Sequence, residues 1–561
     1  MRNDTRCLIP VELGLLIVVA AAATLGACND VDGFTQDEWD QIQKMEPLAG
    51  PRPHNPFNSR DDDDDMAKFG QMLFFDKDVA EAITVAGGPT GNMGDIRKVA
   101  CVTCHDTKYF TDSRPFPISE GIRWLTTNTG AMLNLAWYDW TLSSGRFDGL
   151  VEHGTTVWGT SATPLAQARF VFLKYQNEYN AVFPDTPLDP RLGLPTTDPN
   201  NVYPLTGGPK SSASAPDGPF EKMPQDAQDN INQFRANMGR VFDTYPRKLL
   251  TPESPFQKYV RDRDFSQLSE KAKMGLKLFI GKAACNECHT GPTLTDNLFH
   301  NVGTPALATI PGSTTAITPN RGRAGVMQAI LNNLAALEAN PNAVVFNGAG
   351  KYSDAPDVGM ARLLDVRKQD QDHCVTRDPM TMACTLYDAT LEGAFRTMSL
   401  LNVAKTGPYF HSGTVSTLED VVRQYNAGGG PAGTFVGTVS PKMRPLFLTD
   451  AEVDALVEFL GTLTGVSPSD QAAADPSMWD WTKNTAKPPL PTPTGSAGAG
   501  GNTGSAGAGG NTGSAGAGGN TGSAGAGGNT GSAGAGGNTG SAGAGGNTGA
   551  GGGNQDAAAG G

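Results

Sequence analysis

The pattern C-x-x-C-H occurs twice, as Cys101-Val-Thr-Cys104-His105 and as Cys285-Asn-Glu-Cys288-His289. Two thiols at this spacing form thioethers to the two vinyl groups of one haem, and the histidine that follows coordinates the iron. A C-x-x-C without histidine reads equally as a redox dithiol or half a zinc site. With only 8 Cys and 7 His in 561 residues, two complete copies are remote as chance, so two covalently bound c-type haems are expected. Such a chain must fold as small units, each wrapped around one flat cofactor.

The context of the motifs repeats as well. Gly70-Gln-Met-Leu73-Phe74 precedes the first and Gly275-Leu-Lys-Leu278-Phe279 the second. From Phe to Cys is 27 residues in the first copy and 6 in the second, and Gly87, Gly88, Pro89 and Gly91 mark the extra length as a loop. Thr449-Asp-Ala-Glu452 is a capping box ahead of Val453, Leu456, Val457 and Leu460 at helical spacing. Thr417 opens another helix through Val421, Val422 and Tyr425. Few alternating strands are visible. The expected fold is mainly α: two cytochrome c-like haem domains in tandem.

The ends read differently. Arg2 and Arg6 precede an apolar run, Leu13 to Ala23, that is short for a membrane span and suits a signal peptide. Leu25-Gly26-Ala27-Cys28 resembles a bacterial lipobox, which implies a lipidated Cys28 and an exported chain tethered in the cell envelope, facing periplasm or cell surface. At the other end GSAGAGGNT repeats six times from Gly495 to Thr548, and carries much of the chain's 70 glycines. With no large apolar side chain it is expected to stay disordered. A net charge of −14 argues against nucleic acid as a partner. The expected domains are a signal peptide (1–27), a linker (28–65), an N-terminal haem domain (66–188) and a Pro/Gly-rich insertion and linker (189–262). A C-terminal haem domain (263–466) with an insertion near 304–392, a linker (467–493) and the tail (494–561) follow. Cys374 and Cys384 are expected as a disulfide bracing that insertion. The acidic run Asp61 to Asp65 reads as a solvated linker.

From Phe69 to Leu460 the chain resembles the bacterial dihaem cytochrome c peroxidase family, which includes the tryptophan-modifying enzyme MauG. The resemblance rests on Cys101 to Asp106 with Phe110-Thr-Asp112, Asn128-Thr-Gly-Ala-Met-Leu-Asn134, Gly145-Arg146, the second haem motif with Gly291-Pro292, Asn402 to Gly413, and Thr417 to Asn426. It implies that hydrogen peroxide is reduced at the N-terminal haem. Electrons would come from a small donor such as a cytochrome c or cupredoxin through the C-terminal haem. The alternatives are MauG-like, ferryl-dependent oxidation of a partner protein and a non-catalytic dihaem electron-transfer protein.

Carried over by residue, His105 and His289 become the proximal ligands, and Tyr425 stands where peroxidases place a methionine as sixth ligand of the second haem. A phenolate donates more charge than a thioether and favours higher oxidation states. Tyr425 also reads as a core aromatic, and His300 and His411 are competing ligands. A calcium ion between the domains is implied at the Asn128 side chain and the carbonyls of Thr406 and Pro408. The chain departs from the family where Trp-Asp-Gly-Arg is replaced by Ser143-Ser144-Gly145-Arg146, removing a tryptophan that lies between the haems. Trp137 and Trp140 are possible substitutes. The family's distal glutamine falls at His153 and its acid–base glutamate at Thr163. His153 is then a proton shuttle, a blocking ligand or a surface residue, with Glu120 as the fallback carboxylate.

Overall fold

The computed structural model describes residues 30–490 apart from 86–87, 159–161, 211–214 and 389. The signal segment, Cys28 and the repeat tail lie outside the described residues. No helix among those described is long and apolar enough to cross a membrane.

Each haem unit is built on one pair of crossed helices. In the first, the opening helix Asp64–Phe75 buries Met66, Phe69, Leu73 and Phe74. Its N-cap Asp63 accepts the Met66 amide, and Asp64 and Asp65 sit in the first turn, where the helix dipole favours carboxylates. It crosses Gln225–Thr244, whose apolar face is Ile231, Phe234, Met238 and Val241. In the second unit the opening helix Glu270–Ile280, capped by Ser269, crosses Asp450–Gly461, which carries the expected Thr449/Glu452 capping box. The repeated glycine lies at the crossing in both. A Cβ on Gly70 would come within 2.8 Å of the Val241 carbonyl, and one on Gly275 within 2.0 Å of that of Ala455. Only glycine lets the backbones approach this closely.

Several expected linkers are structure instead. Gln225–Thr244, placed within the 189–262 linker, is the closing helix of the first unit. The 28–65 linker contains helix Gln36–Gln43, and Phe34, Trp39, Ile42 and Met45 join the second unit's core beside Phe256, Tyr259 and Leu276. In the acidic run Asp62, Asp64 and Asp65 are exposed as expected, whereas Asp61 is not. Asp61 is 2% exposed and pairs with Arg247 at 2.5 Å, and Lys248 binds Asp64 at 2.7 Å.

The 304–392 insertion has its own core, formed by helices Arg323–Ala339 and Pro356–His373 around Met327, Leu334, Leu363, Val366 and Tyr387. The hairpin Cys374–Arg377/Cys384–Tyr387 closes it, stapled by the expected disulfide. The insertion also reaches back to the first unit. Arg323, fully buried, donates to the Gly145 carbonyl at 2.5 Å, and Arg362 donates to that of Asp148 at 2.6 Å.

The segment after residue 475 is a strap laid on the first unit. Trp479 Nε1 donates to Gln71 (2.8 Å), Tyr245 donates to the Trp481 carbonyl (2.6 Å), and the Lys487 amide donates to Tyr175 (3.0 Å). The described part of the expected 467–493 linker, up to residue 490, is therefore a clasp from the second unit onto the first.

Candidate haem sites

The first motif forms one helical turn, Cys101–Cys104, on the wall of a cavity of about 170 Å³. The ring of His105 is fixed through Nδ1 to the Phe110 carbonyl at 3.0 Å. With Nδ1 as the donor, Nε2 is left as the metal-binding nitrogen. The second motif lies on a cavity of about 290 Å³, and His289 Nδ1 meets the Leu294 carbonyl at 3.1 Å. Both anchoring carbonyls sit five positions beyond their histidine, on residues with φ near +55° (Phe110 55°, Leu294 54°). Burial pushes the thiols of Cys101, Cys104 and Cys285 up to about 12. A reactive redox dithiol needs a lowered thiol pKa, so these surroundings do not favour one. Two cavities, each with a cysteine pair and one oriented histidine, fit two c-type haems.

The distal sides differ. His153, on helix Leu150–Val157, lines the same cavity as His105. Its ring stacks on Phe147 at 5.4 Å, with no hydrogen bond among the described residues. Burial, reinforced by the charge of His105, brings its pKa down to about 3, so the imidazole is neutral and able to accept a proton. The surface reading of His153 is thereby excluded. Gly154 lets this helix pack against the closing helix, since a Cβ there would meet Phe242 at 2.6 Å. Glu120 is buried but does not line the cavity: its carboxylate accepts the Thr90 amide at 2.8 Å and lies against Gly88. Thr163 is also elsewhere, at the N-cap of Pro164–Val182, accepting the Gly207 amide.

Sequence reasoning missed two carboxyls on the segment that carries His153, which line a separate small cavity against the insertion. Asp148 and Glu152 form a buried pair on the same segment, with the Asp148 amide donating to Glu152 at 3.1 Å. Burial pushes Asp148 up to about 6, and burial together with Asp148 raises Glu152. The insertion clamps the pair, Gly348 donating to Asp148 at 2.8 Å.

In the second cavity Tyr425 is buried, and burial beside Cys285 and Cys288 raises its phenol pKa. Met443 lines the same cavity and was not singled out from sequence, so the phenol and a thioether both face this site. His411 lines it too, stacked on Phe395 with ring centroids 3.5 Å apart, and burial lowers its pKa to about 3. His300 binds Asp296 at 2.8 Å, and this partner, aided by Cys288, raises it to about 9. His300 thus lines the second cavity paired with Asp296. His54 and His373 lie outside both cavities, beside Asp61 and Asp388 respectively.

Between the cavities, neither suggested tryptophan fills the place of the missing one. Trp140 packs under Arg323 in the insertion, 4.4 Å from ring centroid to guanidinium, and Trp137 lines neither cavity. Tyr138 and Met398 line both, as does Arg396, whose guanidinium lies 4.4 Å over the Tyr138 ring. The nearby trio Asn128, Thr406 and Pro408 does converge on the second cavity, and the Asn128 amide donates to the Pro408 carbonyl at 2.5 Å.

Paired crossed-helix units, each with a C-x-x-C-H cavity, define a two-haem c-type protein. Residues 64–187 match the family model described as di-haem cytochrome c peroxidase. The chain is 27% identical over 406 residues to cytochrome-c peroxidase IdrP2 of Denitromonas iodatirespirans, spanning 72% of this chain and 82% of the relative. To methylamine utilization protein MauG of Methylorubrum extorquens it is 23% identical over 468 residues, 81% and 95% of the two chains. The solved diheme peroxidase BthA from Burkholderia thailandensis E264 aligns at 18% identity over 75% of this chain and 89% of its own, with a TM-score of 0.46. Residues 64–187 thus match the di-haem cytochrome c peroxidase model, and the relatives that the chain resembles over most of its length are named cytochrome-c peroxidase and MauG.

Proposed function

We propose that this protein reduces hydrogen peroxide to water with electrons from a small redox protein. The observation that carries the reading is His153, a histidine with no hydrogen bond among the described residues, in the wall of the first cavity, whereas Tyr425 and Met443 line the second. Cys101, Cys104 and His105 would hold one haem and Cys285, Cys288 and His289 the other. When bound, the haems supply the redox-active irons at which peroxide accepts electrons and electrons are stored.

His153 accepts the proton from one peroxide oxygen and returns it to the other, the general acid–base step that makes water a leaving group. Phe147 keeps the ring plane fixed while this proton moves. Asp148 and Glu152 hold exchangeable protons on the same segment, braced by the insertion. Tyr138, Arg396 and Met398 form the contact through which electrons pass between the sites. Tyr425 or Met443 would shield the second haem from peroxide and reserve it for electron transfer, and His300, paired with Asp296, lines the same cavity. A calcium ion at Asn128, Thr406 and Pro408 would fix the two units together, and lipidated Cys28 would tether the protein in the cell envelope.

Rapid mixing of the holoprotein with peroxide and reduced cytochrome c tests this. Cytochrome oxidation at the rate of peroxide loss supports the reading. Two low-spin haems that ignore peroxide would overturn it and favour simple electron transfer. The MauG-like reading draws on one further observation, the buried phenol of Tyr425 in the second cavity. Oxidising equivalents that persist without exchange with cytochrome c would select it.

A further inference from the structure

The strap brings two tryptophans over the first haem unit, and neither is used by the function above. Tyr245, fully buried, lines the first cavity. Its ring centroid is 6.3 Å from that of Trp481, which is 5.8 Å from that of Trp479. Trp479 is 43% exposed, beside Met478 at 44%. All three rings lie at contact spacing for aromatic pairs, so one continuous π-path joins the cavity wall to solvent. Hydrogen bonds hold it in place at both ends: Tyr245 to the Trp481 carbonyl and Trp479 to Gln71.

We propose that Trp479 is a surface oxidation site, at which a bulky electron-rich aromatic donor, such as an aryl amine or phenol too large for the cavity, gives up electrons to the first haem unit. The proposal rests on the peroxide reading above. Hydrogen peroxide is the oxidant: its O–O bond breaks, and two electrons with two protons from solvent complete two waters. Each electron leaves Trp479, crosses Trp481 and Tyr245, and is replaced by one electron from a donor molecule at the surface. Two donor molecules are therefore oxidised by one electron each for every peroxide.

The proton bookkeeping follows from the partners. Gln71 accepts from the Trp479 indole but is no base, so the oxidised ring keeps its proton and exists as a radical cation until the donor refills it. The Tyr245 phenol donates to the Trp481 carbonyl, so its proton stays within that hydrogen bond while an electron passes through the ring. Lys68 lies 5.2 Å over the Trp479 ring, and a cation there disfavours positive charge on the indole. Lys68 thus limits how long Trp479 stays oxidised, and its ammonium favours an anionic donor at the same surface.

The test uses the holoprotein, its Trp479→Phe, Trp481→Phe and Lys68→Ala variants, and the dianionic aryl dye ABTS as donor. With peroxide and no donor, peptide mass spectrometry should find one or two oxygen atoms added to Trp479, more in Lys68→Ala and none in Trp481→Phe. Freeze-quenched samples should show an indole radical that both Phe variants lose. ABTS oxidation should be lost in both Phe variants while oxidation of reduced cytochrome c is unchanged in Trp479→Phe. Unchanged haem spectra and melting temperatures show that the variants are folded. Peroxide consumption with an unmodified Trp479, or ABTS oxidation untouched by both substitutions, would overturn the route alone. Absence of any peroxide consumption would overturn the peroxide reading, and the route with it.

Discussion

The two haem units match on the side that carries the motif and part on the side that faces it. His105 and His289 are oriented by carbonyls five residues on, held by the same left-handed turn, and each opening helix crosses its partner at a glycine. His153, its ring stacked on Phe147, lines the first cavity together with Met132, Tyr138 and Tyr245, whereas Tyr425, Met443 and a stacked His411 line the second. Duplicated scaffolds need the shared side to attach the cofactor, and the side left free by that need sets what each iron does.

Removing His153 from the first unit has the largest expected effect. His153→Ala should slow peroxide turnover by about 10² to 10⁴, the usual worth of a positioned acid–base group. Peroxide binding should slow while the second haem's spectrum stays unchanged. In the second unit, Tyr425→Phe and Met443→Leu separate the rival ligands. Only the true ligand's removal should turn that haem high-spin, and peroxide binding at the first should persist in either variant.

The scaffold is asymmetric as well. Gly275→Ala places its Cβ 2.0 Å from a carbonyl and Gly70→Ala 2.8 Å, so both should destabilise through overpacking. The former should cost more, at or above the usual ~1–3 kcal/mol, which denaturant melts of the holoprotein would measure. Acid should weaken both units. His153 and His411 have pKa values lowered to about 3, so the unfolded chain takes up protons first. Their contribution is full above about pH 6.5 and is lost as the pH falls toward 3. His153→Gln and His411→Gln should each flatten the acid limb of a stability profile. The smallest effect is expected far from both sites. Cys374→Ser with Cys384→Ser opens a short loop, costing about 3 kcal/mol or less. Proteolysis should then quicken within the insertion and leave the haem spectra alone.

What was legible in the sequence was local. The haem motifs and the Thr449 capping box act within a few residues of themselves, and each is found as read, while the paired Gly-x-x-Leu-Phe runs repeat locally and meet their partner helices far along the chain. The closing helix of the first unit was legible too: Ile231, Phe234, Met238 and Val241 recur at helical spacing, but the Pro/Gly-rich stretch before them drew the whole segment into a linker. Other features depend on partners far along the chain. Asp61 is buried because Arg247 reaches it, and the strap holds through side chains such as Gln71 and Tyr175. Tyr138 and Met443 carry no spacing signal at all: Tyr138 gains its place where the two cavities meet, and Met443 is brought to the second motif from far along the chain.

The contrast between an open first site and a closed second one is tested most directly by electron paramagnetic resonance of the ferric holoprotein with and without cyanide. The account predicts two components. A high-spin signal should convert to low-spin on adding cyanide, and a second, low-spin signal should not respond. Two low-spin signals that both ignore cyanide would contradict it.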